Sequence, residues 1–300
     1  MDKWFEDKFE KNRLRNYTKQ RLKPNPFSNF SRKLSITNWI IILNVLVFII
    51  SIILMSFFDQ EYIVSILALQ ANNFFSGTFW TLLTSMFMHG GAGHLLFNMI
   101  SLFFIGNFVE KIIGRKKLLR FYLISGLFAG LFYVTLSYFL GTTEIGIKIF
   151  TSPDTYAVGA SGAIFALLGL LAILTPNNKV FLITGPLIAI IFQALISQLF
   201  PTSQLLPLLE LLVTIYFIAA IFSIFSFNPT LRKISLPLEM SFWVLPIIAI
   251  VPLVIIGLFV PLPIGNTAHL GGLLAGFIYA FYLKQKYPHK TKQLKTIFSK

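Results

Sequence analysis

The sequence predicts an all-α fold, a polytopic bundle of transmembrane helices, on three observations. Of 300 residues, 56% are hydrophobic and 12% are charged, whereas a soluble domain carries about 25% charged residues. Uncharged stretches at 34–58, 121–143, 155–178 and 180–209 each exceed the roughly 20 residues that a spanning helix needs. The basic residues gather at the ends of such stretches and in the tails, as they do in cytoplasmic loops.

The elements follow in order. Residues 1–33 are polar, hold ten Lys or Arg and include the breaker Pro24-Asn25-Pro26. They read as a basic cytosolic tail near the lipid headgroups, with Trp4, Phe5 and Phe9 on the apolar face of a short interfacial helix. About eight spans are expected, near 36–58, 92–110, 118–140, 157–175, 180–200, 205–227, 238–260 and 264–284. A membrane domain over 34–284 and a basic cytosolic tail over 285–300 complete the chain. The 59–91 connection is too long for a simple turn and is rich in aromatic residues. With the N-terminus inside, 24 of the 25 Lys and Arg fall on the inner side and only Lys148 lies outside. That asymmetry supports both the number of spans and their direction, and it puts both termini in the cytoplasm.

The composition also excludes classes of function. A net charge of +14 suggests a nucleic-acid partner only if the charge forms a patch, and here it flanks apolar segments. The chain has no cysteine, which removes disulfides, thiolate catalysis and cysteine-bound zinc. Residues 1–33 hold no apolar core of the signal-peptide kind, so the first span is expected to direct insertion.

The chemistry-bearing residues are few. Ser161 sits among Gly159, Ala160, Gly162 and Ala163, and His269 has Ala268, Gly272 and Gly276 around it. A hydroxyl and an imidazole on small-residue ridges of two helices can approach to hydrogen-bonding distance, as a serine nucleophile and its base require. The charge-derived topology places both about 6 Å below the outer boundary, at 1.5 Å per residue. Plain helix packing is the alternative for the serine, and a histidine bonded to a carbonyl is the alternative for His269. No Asp or Glu falls at that depth, so a dyad is expected rather than a triad. His94 and Asn98, four apart, share one helix face and suit donors aimed at an oxyanion. A metal site fits worse, because no third ligand completes it and the His-Glu-x-x-His signature is missing. Phe165, one turn after Ser161, faces either His269 or lipid. His89 is expected to pin the 59–91 loop to the bundle, and His89, His94, Asn98 and Asn266 to line a polar cavity open outward.

The pattern resembles the rhomboid intramembrane serine proteases. The matching pieces are Trp80 with Thr84; His89, His94, Asn98 and Met99; Glu110 and Gly114; Gly159-Ala160-Ser161-Gly162 with Phe165; and Ala268-His269-Leu270-Gly271-Gly272 with Gly276. They occur in the family's order over about 36–284. The resemblance implies a six-helix rhomboid-like core, Ser161 as nucleophile and His269 as base. It also implies an oxyanion hole from His94, Asn98 and the Ser161 backbone N–H, with Phe165 stacked on the catalytic ring. By position, 59–91 would be the loop lying partly in the outer leaflet, and about 238–260 the mobile helix that admits substrate laterally. Two departures stand out. Thr81 replaces the arginine common after Trp80, and Ser161 and His269 are 108 positions apart. The excess reads as an extra helical hairpin over 180–227, which either covers the substrate entrance or supplies its gating helix.

The function expected from this reading is an intramembrane serine endopeptidase of the cell membrane, acting on transmembrane segments near the outer face. Its partners would be membrane-protein substrates and the bilayer, with no metal and no other cofactor. Two rivals differ in class. A catalytically silent relative that binds membrane clients is expected to have lost Ser161 or His269, and a transporter would carry polar residues through several helices.

Overall fold

The computed structural model describes residues 34–224, 228–258 and 265–297. The tail over 1–33, with Trp4, Phe5 and Phe9, lies outside the described residues. Helix α1 (Ile36–Phe57) starts where the Ser35 hydroxyl accepts the Asn38 N–H. The 59–91 connection folds into three short helices, α2 (Gln60–Leu67), α3 (Ala71–Phe75) and α4 (Thr81–Thr84). Helix α5 (Ala92–Ser101) passes through a π-turn at Leu102–Gly106 into α6 (Asn107–Ile113), and α7 (Arg115–Leu140) and α8 (Glu144–Phe150) follow. The Ser161 helix is α9 (Ser161–Leu174).

Three segments are long and apolar enough to cross a membrane, namely Ile36–Phe57, Ala92–Ile113 and Arg115–Leu140. Together with the shorter apolar helices they make this a multi-pass helical membrane protein. Helix α9 is shorter than the span expected at 157–175. Its 14 residues reach about 21 Å, because residues 155–160 are not helical.

The all-α expectation needs one correction. After α9 the chain forms strand β1 (Lys179–Ile183), then α10 (Thr184–Leu199), α11 (Leu206–Ile224), α12 (Pro229–Arg232) and strand β2 (Pro237–Ser241). The strands pair antiparallel, from Lys179 opposite Ser241 to Ile183 opposite Pro237. Helices beginning at 180 and 238 would put Pro186 and Pro246 in their interiors, where proline lacks the N–H and clashes with the preceding turn. Starting α10 at Thr184 and α13 (Leu245–Gly257) at Leu245 keeps both prolines in the first turn. The displaced Val-Phe-Leu-Ile run suits a strand. Helices α10 and α11 therefore leave and return through one two-stranded ribbon, with residues 184–236 between the two strands.

Helix α14 (Asn266–Lys286) carries His269, and α15 (Pro288–Ile297) occupies most of the expected C-terminal tail. Helices α9 and α14 form the centre, with α7 packed on both. Helix α13 packs on α9 and α14, whereas α10 and α11 pack chiefly on each other. Phe217 of α11 meets Phe97 of α5 edge-on at 4.5 Å, so the hairpin leans on the bundle from its periphery.

The α9–α14 contact is made by backbone. A methyl added at Gly272 would collide with the Gly162 carbonyl, and one at Gly276 with the Ala166 carbonyl; at Gly169 it would lie 2.8 Å from the Leu273 carbonyl. Far from this seam, Glu110 caps α1. Its carboxylate accepts the backbone N–H groups of Ile36 (3.0 Å) and Thr37 (2.9 Å) and the Thr37 hydroxyl (2.8 Å), while Arg115 approaches at 3.7 Å.

Gly276→Ala should therefore destabilise the protein by about 1–3 kcal/mol through overpacking. Gly93→Ala should be tolerated, because nothing lies within 4 Å of the added methyl. Melting temperatures in one detergent would distinguish the two; equal melting would refute the backbone contact.

Candidate active site

Ser161 is the first residue of α9, where the backbone N–H groups lack partners from a preceding turn. Both the hydroxyl and its own N–H thus stand at a helix start. His269 lies in the first turn of α14. The two helices begin at the same end of the bundle, and the glycine seam lets their side chains meet. The His269 Nε2 is 2.9 Å from the Ser161 Oγ.

The imidazole is held by packing. Phe165 stacks on it with ring centroids 4.1 Å apart and planes 9° from parallel, which answers whether this aromatic faces lipid or histidine. His269 is buried, and among the described residues no group hydrogen-bonds its Nδ1. Asp154, the acid nearest in sequence to Ser161, is engaged elsewhere, accepting the Asn72 side-chain amide at 2.6 Å. The serine and histidine form a pair without a carboxylate among the described residues.

Gly159 joins this pair to α5. Its φ of +120° favours a residue without Cβ, and a methyl there would lie 2.8 Å from His94 Nε2 and 3.4 Å from Asn98 Nδ2. The Gly159 N–H donates to the Ser85 carbonyl at 2.8 Å, which fixes the turn that delivers Ser161. Gly162 next to it allows Ala129 of α7 to approach, since a methyl there would be 2.8 Å from the Ala129 Cβ. Asn98 is buried with its Nδ2 donor unpartnered among the described residues. His94, Asn98, Ser161, Phe165 and His269 all line one cavity of about 760 Å³, to which Ile248 and Ala249 of α13 also contribute.

His89 sits where the loop meets α5. Its Nδ1 lies 3.2 Å from the carbonyl of Phe87, two residues away, and its ring meets that of His94 edge-on at 5.1 Å. Burial lowers its pKa to about 4; the neighbouring His94 pushes the same way and the Phe87 carbonyl opposes. His89, at the edge of the long loop, thus packs against His94 of α5. Neither His89 nor Asn266 lines the cavity.

The loop is tied down by hydrogen bonds. The Trp80 indole donates to the Ile66 carbonyl (2.8 Å) and the Thr84 hydroxyl to Leu67 (2.7 Å). Leu69 and Ala157 exchange two backbone hydrogen bonds, so the loop clasps the strand-like segment leading into Ser161. Sequence reasoning missed this bridge, although the β-branched and aromatic run around Tyr156 and Val158 was a faint signal for it.

Comparison with known proteins adds the lineage. The Rhomboid domain profile matches residues 76–207 and 211–286. Residues of this chain are 34% identical over 128 positions to the Arabidopsis thaliana protein named RHOMBOID-like protein 12, mitochondrial, covering 42% of this chain and 38% of that one. Rhomboid protease AarA of Providencia stuartii is 33% identical over 154 residues, with 48% and 54% covered. Rhomboid protease GluP of Bacillus subtilis is 35% identical over 127 residues, with 42% and 22% covered. The chain thus spans about half the length, or less, of these curated relatives.

The ring stack leads to a measurable expectation. Phe165→Ala should slow covalent labelling of Ser161 by a fluorophosphonate about 10-fold, the scale of losing a desolvated aromatic face against a forming imidazolium. Phe165→Tyr should label at close to the wild-type rate. Equal rates for all three proteins would show that the stack does not set the serine's reactivity.

Proposed function

The chain belongs to the rhomboid family, and from that premise we propose that it is an intramembrane serine endopeptidase working through a Ser161–His269 dyad. The 2.9 Å contact between Ser161 Oγ and His269 Nε2 is the observation that carries the proposal. With Nδ1 protonated, Nε2 accepts the Ser161 proton as Oγ attacks the scissile carbonyl carbon of a membrane-embedded substrate. The imidazolium so formed lies against the Phe165 face, where a cation–π contact favours the charged ring.

The tetrahedral oxyanion is held by the Asn98 amide, the His94 imidazole and the Ser161 backbone N–H. A donor of this kind removes roughly 3–4 kcal/mol of barrier, and Asn98 Nδ2 is free of other partners among the described residues. Collapse of the intermediate breaks the peptide C–N bond, and the leaving amine takes its proton from His269. Water in the cavity, deprotonated by His269, then attacks the acyl-Ser161 ester and restores the serine.

The finer topology belongs to the same proposal. About eight segments cross the bilayer, both termini are cytoplasmic and the cavity opens to the outer side of the cell membrane. Substrate enters beside α13, which contributes Ile248 and Ala249 to the cavity wall. A substrate helix must expose a carbonyl before it can react. Segments with Gly or Pro near the cut are preferred because they unwind at lower cost, about 1 kcal/mol for Gly and 3 for Pro.

Purified protein in liposomes with a single-span substrate would test this reading. Wild type should cleave, and Ser161→Ala and His269→Ala should lose at least about 1,000-fold, the scale seen when a nucleophile or its base is removed. Asn98→Ala should lose about 100-fold with the fluorophosphonate site intact. Cleavage by Ser161→Ala at the wild-type rate would end the proposal.

A further inference from the structure

A second concavity lies at the end of the bundle away from the dyad. Helices α7 and α14 run antiparallel, so the start of α7 meets the end of α14, about 25 Å along α14 from His269. Between them is a groove of about 610 Å³. Phe121 and Tyr279, stacked at 4.5 Å, lie at its back. Its apolar wall runs from Lys117 to Phe128 on α7, about 16 Å of helix, with Ile124 and Ile278 largely exposed.

The mouth of this groove is basic. Lys117, Arg120 and Lys286 line it, and three ammonium groups surround the single ring of Tyr287. Lys117 Nζ lies 5.2 Å from its centroid, Lys286 Nζ 5.8 Å and Lys290 Nζ 5.6 Å. Neither Arg115–Leu140 nor residues 266–300 contain an Asp or Glu, so neither helix brings a carboxylate side chain to the rim. Like charges drawn this close repel, and an anion among them relieves the repulsion. Lys286 also donates to the Tyr282 hydroxyl at 2.7 Å, which holds one cation at the rim.

We propose that the α7–α14 groove binds one anionic phospholipid. Its phosphate sits among Lys117, Arg120 and Lys286, and an acyl chain lies against Ile124, Phe128 and Ile278. Both halves of the site are needed to choose this occupant. A bare apolar groove between membrane helices accepts any acyl chain, and a bare cationic rim attracts any anion. Here the two are joined in one concavity at the end of two membrane helices.

The full chain, delipidated in neutral detergent, would be melted with phosphatidylglycerol, with phosphatidylcholine and with inorganic phosphate at equal phosphate concentration. Phosphatidylglycerol alone should raise the melting temperature by several degrees, as a ligand of the folded state does. Native mass spectrometry should retain one such lipid per chain. Lys117→Gln/Lys286→Gln should lose most of the shift, whereas Lys111→Gln/Lys116→Gln, with the same charge removed outside the groove, should keep it. If the groove variant does not fold, Ala275→Leu, which fills the apolar wall, should reduce lipid retention at least about 5-fold by taking the acyl chain's space.

Equal stabilisation by phosphatidylcholine or by free phosphate would overturn the proposal. So would equal loss in the two double variants, which would reduce the effect to diffuse surface charge.

Discussion

The arrangement depends on how closely two helix backbones approach. Residues Gly272 and Gly276 of α14 lie against the carbonyls of Gly162 and Ala166 on α9, so no side chain separates the helices there. In a bilayer, lipid tails offer helices nothing to escape from, and association rests on contact made possible by small residues. The same approach brings a short serine side chain to 2.9 Å from a histidine. Widening the seam by a single methyl would open that distance.

The proposed dyad has no carboxylate among the described residues, which puts a heavier demand on packing. In a triad the third residue holds the ring by a hydrogen bond and stabilises its charged form. Here the ring is stacked on Phe165, and its Nδ1 has no hydrogen-bond partner among the described residues. In the Nδ1-protonated form that the proposed mechanism uses, a buried unpartnered N–H costs about 1–3 kcal/mol. The stack offsets part of that cost and leaves Nε2 as the one outlet of the imidazole. The proposed oxyanion donors come from a third helix, α5, and Gly159 is the joint that lets them reach the serine.

The helices between β1 and β2 are closed at their base by the ribbon. Because the ribbon brings residues 183 and 237 opposite each other, the chain leaves and re-enters the bundle at one place, between α9 and α13. With α10 and α11 between them, α14 runs in the same direction as α9, which the contact between Ser161 and His269 requires. The contact of Phe217 with Phe97 sets the hairpin against α5, on the helix that carries His94 and Asn98.

Much of this was legible in the chain itself. Hydropathy and the placement of Lys and Arg defined a multi-pass helical protein, and small residues around Ser161 and His269 marked the two helices that meet. The helix-face spacing of His94 and Asn98 put both in the cavity wall. Only the folded protein decided the rest. Apolar runs cannot distinguish strand from helix, so the ribbon emerged from where Pro186 and Pro246 are tolerated. Phe165 had to be seen against the imidazole, because one helix face can meet either protein or lipid. Glu110 found its partner only through tertiary contact, capping α1 73 residues earlier at Thr37. Local periodicity records which face of a helix is apolar; which neighbour that face meets is set by packing between segments far apart in the chain.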